Sequence, residues 1–262
     1  MSTAPYPIFE GFSLQDSNYI SSTITYRNIP SRSLSSEKIA RKPGVKLLST
    51  DFGSKDVSIS GYILGSSASD LQTKIDSFHS NVTRKNAGTL YVDTDRYGTA
   101  TVKSVAIGDP HYAQDMVPVD IEFLMADPFF RSSQQSVTIA IAAGTATSSE
   151  TITISGSVFA EPSIIYRAPA GAGQTTTSGV KIKYQGTGET VTWSGTGATT
   201  TLAYGSSVTF DYAVHTILED TTEVDLEGYF SRWEPGVQNF IVTFSGTAAG
   251  GQLEFNYDPR YL

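Results

Sequence analysis

Apolar residues along this 262-residue chain alternate with polar ones far more often than they recur at helical spacing. In DVSISGYIL, residues 56–64, Val57, Ile59, Gly61 and Ile63 point one way and Ser58, Ser60 and Tyr62 the other, as in a strand with one buried face. MVPVDIEFLM repeats the pattern, with Val117, Val119, Ile121, Phe123 and Met125 opposite Pro118, Asp120, Glu122 and Leu124. Pro118 has no amide donor, which predicts a strand edge or start rather than a central rung. TLYVD at 89–93, the turn DRYG and TATVKSVAI at 99–107 predict a β-hairpin. One segment, about 67–87, has helical spacing instead, with a core face of Leu71, Ile75, Phe78 and Val82 on a single stripe. Ser67 and Asp70 fit a capping box at its start, and Arg84, Lys85 and Gly88 fit its end.

Texture changes at SSQQS, residues 132–136, after which Ser, Thr, Gly and Ala dominate. The sequence therefore predicts two domains, 1–133 and 134–262. Strand candidates in the second lie at 137–142, 150–155, 163–166, 179–184, 190–193, 200–203, 207–210, 223–226, 239–244 and 252–257. Short alternating strands between Gly-rich turns predict a β-sandwich, so the chain as a whole is expected to be mainly β with one helix. Between Arg27 and Lys46, Arg32, Lys38, Arg41 and Lys42 are opposed by Glu37 alone, among prolines and serines. This stretch, about 27–56, reads as an extended arm or a solvated loop.

Composition narrows the chemistry. The chain has no cysteine, which excludes disulfides, thiolate metal sites and a Cys nucleophile. No stretch approaches the roughly 18 apolar residues of a membrane helix, and the N-terminus has no basic start followed by an apolar run, so a soluble chain without a secretion signal is expected. Residues 1–131 hold 13 Lys and Arg against 14 Asp and Glu, net −1; residues 132–262 hold 5 against 12, net −7, making up the total of −8. An acidic second half argues against nucleic-acid binding through it.

Candidate sites are sparse. His79, His111 and His215 are far apart and not at metal-ligand spacing, and there is no GxSxG elbow or Walker-type GK[ST]. The stretches starting at Gly171, Gly186 and Gly195 open like GxGxxG but lack the third glycine and a following helix, so they read as turns. The pair Asp93 and Asp95, and the acidic run of Glu219, Asp220, Glu223, Asp225 and Glu227, are too incomplete or too strand-like to predict a calcium site. Neither a cofactor nor a metal is expected. Trp193 and Trp233 are either core residues or platforms for a sugar ring.

The order of signals in the first half resembles the N-terminal domain of siphophage distal tail proteins. The residues that carry the resemblance are Pro43-Gly44, DFGSKDVSISGYI from Asp51, the helix DLQTKIDSF, GTLYVDTDRYGTATV, and VDIEFLMADPFF ending in Asp127-Pro128-Phe129. No single motif is specific; their joint order over half the chain is. The second half resembles the family's galectin-like or jelly-roll domain in pattern, including the terminal YDPRYL.

The resemblance implies a structural protein and not an enzyme. It implies a homo-hexameric ring under the tail tube, carrying a tail-associated lysin or fibre hub below. Side fibres or receptor-binding proteins are implied as further partners, with tape-measure protein and DNA as lumen contents and no membrane partner. It also implies that the arm before Phe52 packs on a neighbouring protomer, placing Arg41, Lys42, Pro43, Gly44, Phe52, Gly53 and Asp56 at the ring interface. Localisation in the virion tail tip follows, after assembly in the host cytoplasm. A major tail-tube protein and a carbohydrate-binding adhesin remain the alternatives.

Overall fold

The computed structural model describes residues 6–38, 45–83, 87–109, 115–195, 201–246, 248 and 250–262, with backbone alone for 38 and 45–51. The chain divides into two compact units, one up to Ser132 and one from Ser133 to Tyr261. Among the described residues no helix is long and apolar enough to cross a membrane.

In the first unit the elements are β1 (Ile8–Phe9), β2 (Phe12–Ser13), β3 (Tyr19–Thr25), β4 (Arg32–Lys38), β5 (Val45–Phe52), β6 (Lys55–Leu64), α1 (Ala68–Val82), β7 (Gly88–Tyr91), β8 (Tyr97–Ile107), β9 (Met116–Met125) and β10 (Phe130–Arg131). An antiparallel sheet runs in the order β2-β1-β7-β8-β9-β6-β3. The alternation in β6 and β9 decides its sides: Val57, Ile59 and Ile63, with Val117, Val119, Ile121, Phe123 and Met125, are all buried. Beneath α1, the buried Leu71, Phe78 and Val82 complete this core while Ile75 stays half-buried. Phe78 meets Tyr19 at 5.9 Å and Phe12 at 6.3 Å, so the lone helix is held by aromatics of β2 and β3.

Several details depart from the sequence reading. The Asp70 amide donates to the Ser67 hydroxyl at 3.2 Å, but the Asp70 carboxylate accepts from the Ser66 amide, one residue earlier than a capping box requires. The helix ends at Val82, capped by the Thr83 amide and hydroxyl on the His79 carbonyl. Gly88 opens β7 instead of closing the helix, and Arg84 and Lys85 lie outside the described residues. Pro118 sits in a strand flanked on both sides, opposite Tyr62 of β6. Its carbonyl accepts from Gly108, just past the end of β8, so its ring nitrogen also faces the side where β8 has finished and no rung is lost. The short strands β1 to β3 were not legible in the sequence, and the arm is not a loop: β4 and β5 form an antiparallel hairpin.

Gly61 lets β3 and β6 approach. A Cβ there would stand 2.1 Å from the Ile20 carbonyl oxygen, which is backbone, beside a bulge between Ser21 and Thr23. Gly61→Ala is expected to cost about 1–3 kcal/mol by thermal unfolding, as overpacking does; an unchanged midpoint would contradict this close approach.

The second unit contains β11 (Gln135–Ile141), β12 (Thr147–Ile154), β13 (Ser163–Arg167), β14 (Thr177–Tyr184), β15 (Thr190–Ser194), β16 (Ser207–Asp211), β17 (Thr216–Glu219), β18 (Thr222–Val224), β19 (Glu227–Gly228), β20 (Gly236–Gly246), β21 (Gly251–Tyr257) and β22 (Arg260–Tyr261). Two sheets, β11-β21-β13-β16-β17-β18 and β12-β20-β14-β15-β19, share one buried cluster. Tyr166 of β13 meets Phe244 of β20 at 5.2 Å, and Phe240 of β20 meets Phe255 of β21 at 5.9 Å, so the sheets face each other as a β-sandwich. The segment expected as a strand at 200–203 is not one among its described residues, 201–203: Thr201 is in a bend and Ala203 makes a single bridge to Gln174. β17 was missed.

Candidate assembly interface

The hairpin of β4 and β5 pairs with no other strand among the described residues. From Arg32 to Glu37 every side chain is exposed, on both faces of the ribbon; Leu34 is 63% exposed. An isolated two-stranded hairpin is marginal in water and normally needs a covered face. This one buries neither face of β4.

Its root, by contrast, is fixed. The Gly53 amide donates to the Ser31 carbonyl at 2.7 Å, and a Cβ at 53 would strike the Ser31 hydroxyl at 2.5 Å. Phe52 packs edge-on against Phe129 at 5.2 Å, and the Arg32 guanidinium covers the Phe52 ring at 4.8 Å. Asp127 closes the ADPFFR turn, accepting from the Phe129 amide and pairing with Arg131 at 2.8 Å. Asp56 pairs with Lys103 at 3.2 Å, and Glu122 approaches the same ammonium. These carboxylates hold the Lys103 pKa above its ordinary value, Asp56 by hydrogen bonding first. As an exposed pair it adds little stability.

Lys55, at the start of β6, is 2% exposed and its ammonium has no hydrogen-bond partner among the described residues. It lies over the Phe130 ring at 4.7 Å, and Tyr26 packs edge-on against that ring at 5.7 Å. Burial first, then the like charge of Arg96, lower its pKa to about 8. The unfolded chain holds this proton up to about pH 10.4. Stability is therefore reduced below about pH 8 and recovers as pH rises from there to about 10, by roughly 3 kcal/mol at most. Lys55→Met is expected to raise stability at neutral pH and flatten that recovery in urea titrations; equal pH slopes for both proteins would refute the assignment.

Of the residues expected at an interface, Phe52, Gly53 and Asp56 come together at this root, while Arg41, Lys42, Pro43 and Gly44 lie outside the described residues. Sequence reasoning missed Ser31, Arg32 and Lys55. Arg32 stood in the basic run, whereas nothing in the sequence marks Lys55 as buried.

The remaining candidates resolve into structure. Trp193 and Trp233 are 1% and 0% exposed, so neither offers a ring face to a sugar, which corrects that expectation. Trp233 stacks on Tyr184 at 4.7 Å and packs against Phe255 at 4.8 Å. Asp93 accepts the amides of Asp95 and Arg96 in a turn, while Asp220 accepts the Ser207 amide and Glu219, Glu223 and Glu227 lie in strands. Among the described residues no three His, Asp or Glu side chains gather as a metal site would require. His79 is exposed, His215 stacks on Phe230 at 5.5 Å, and His111 lies outside the described residues.

Residues 10–125 match the family model described as the phage tail protein RIFT-related domain. Among solved structures the chain is similar to the Dit protein of phage SPP1, presented as a paradigm of the hub adsorption apparatus in phages infecting Gram-positive bacteria. Identity is 11%, the match covers 98% of both chains, and the TM-score is 0.69. A baseplate chain of phage P2 aligns over 88% of this chain and 90% of its own at 12% identity, with a TM-score of 0.36, too low to argue from. No curated protein sequence matches. Residues 10–125 are thus similar to the phage tail protein RIFT-related domain, and across both units the chain has the fold of the SPP1 Dit protein.

Proposed function

We propose that this chain is a structural hub of a long phage tail, six copies closing a ring that joins the tail tube to the tip or baseplate. The observation that carries this reading is the hairpin: rigid at its root, yet bare on both faces of β4. Such a ribbon suits a flap laid on the next protomer, and a repeated head-to-tail contact of this kind closes a ring. Burial of the flap on a neighbour would make assembly part of stability. The basic run from Arg27 to Lys46 favours an acidic receiving surface.

In this reading the domains correspond to residues 1–133 and 134–262, the first building the ring and the second facing outward to hold fibres or receptor-binding proteins. The tube protein lies on one side of the ring and a tail-associated lysin or fibre hub on the other. DNA and tape-measure protein pass through the lumen. The role is geometric rather than catalytic, and the protein is a virion component, assembled in the host cytoplasm.

Native mass spectrometry and negative-stain imaging of the purified chain test the proposal. Six-fold rings are expected; a chain that stays monomeric at high concentration, and is absent from purified tails, overturns it.

A further inference from the structure

Among the described residues the sandwich of the second unit has four edge strands, β11 and β18 on one sheet and β12 and β19 on the other. An edge strand offers a row of unpaired backbone groups to any passing strand, and proteins discourage this with short edges, charges, proline or bulges. Three of the four edges follow that rule. β18 has three residues and β19 two, each with a glutamate, Glu223 and Glu227. β12 turns Ile152 and Ile154 into the core, so Glu150, in the same alternation, is an inward-facing charge; it accepts the Ser148 hydroxyl.

β11 has none of these devices. Its seven residues, QSVTIAI, include no charge and no proline. Its register with β21 runs unbroken from Gln135 opposite Tyr257 to Ile141 opposite Gly251, so there is no bulge. Gln135, Ser136, Val137, Thr138 and Ala140 are all exposed. The core is also open at this rim: Ile141 is buried, Ile139 is only partly covered against the core cluster, and Val137 is 37% exposed. Charge adds the last constraint. Glu150 is the one charged residue between 132 and 154, in a half of net −7.

We propose that β11 is a docking edge that accepts one further strand from a partner protein. The strand it fits is extended and uncharged, with alternate apolar side chains that continue the row of Val137, Ile139 and Ile141. Backbone hydrogen bonds would supply most of the attraction, and the apolar row its register, as in β-strand addition. A lysine or glutamate in that row would be laid against Ile139 and desolvated, so charged segments are refused. The proposal concerns the second unit alone and stands apart from ring formation.

The test uses the full chain and the capped peptide acetyl-TVTVTVT-amide, with a control in which lysines replace the valines. Under saturating valine peptide, the outward-facing amides of Gln135–Ile141 are expected to exchange hydrogen about tenfold more slowly or better. Val137→Lys should abolish the effect and Thr153→Lys, on the β12 edge, should not. Unchanged exchange with the valine peptide, or equal slowing by the lysine peptide, overturns the proposal. Protection that grows with chain concentration and needs no peptide also overturns it, assigning the edge to a second copy. The comparison of the two peptides on the unaltered chain holds whether or not a variant folds.

Discussion

A chain in which residues 32–52 are replaced by a short Gly-Ser link is expected to fold in both units and to form no rings. The deletion is geometrically clean, because the Gly53 amide already donates to the Ser31 carbonyl across the hairpin root and about two to four linker residues span that gap. Little core is lost, since β4 buries no side chain and the hairpin pairs with no other strand among the described residues. Among the described side chains, the packed contact removed is that of Phe52 on Phe129. Its loss should lower the unfolding free energy by no more than about 1–2 kcal/mol, because the ring of Phe52 is only part-covered. Native mass spectrometry reads the outcome. Rings that persist without the hairpin would refute its role at the interface. Should the deletion unfold the chain, the paired point changes Arg32→Glu and Leu34→Lys, both on exposed positions, test the same contact with the fold intact.

Trp233→Ala is expected to be the most damaging single substitution for stability. The indole is fully buried and touches Tyr184, Tyr212, Phe240 and Phe255, so it joins both sheets to the loop that carries it. Truncating a buried Trp costs about 3–5 kcal/mol, against a total stability of about 5–15 kcal/mol for a domain. Calorimetry should then resolve two transitions, with that of the second unit moved well below that of the first. A variant melting within a few degrees of the parent would show that the sandwich closes without this residue.

What the sequence disclosed depended on whether burial left a period in it. β6 and β9 each bury one face, and their alternation was readable residue by residue; so was the helical stripe from Leu71 to Val82. β4 has no buried face, so RSLSSEK carries no period and reads as a loop although its backbone is paired throughout. β1 and β2 have two residues each, too short for any period, and exist because neighbouring strands hold them. Trp193 and Trp233 show the opposite ambiguity. Composition permits an aromatic to be core or contact, and only the placement of its neighbours decides. Lys55 was invisible for a related reason: a lysine in alternation with Val57 and Ile59 looks like a strand end until Phe130 is seen beneath its ammonium.

The eleven-residue strand β8 changes partners along its length. Tyr97–Ala100 pair with β7, whereas Thr101–Ile107 pair with β9 across the opposite edge. One uninterrupted backbone therefore stitches the β2-β1-β7 group to the β9-β6-β3 group. Neither group can melt while the other survives intact, because each would have to strip half of the same strand. That sheet consequently has no internal seam, and load on any of its strands is expected to be carried by a single cooperative block.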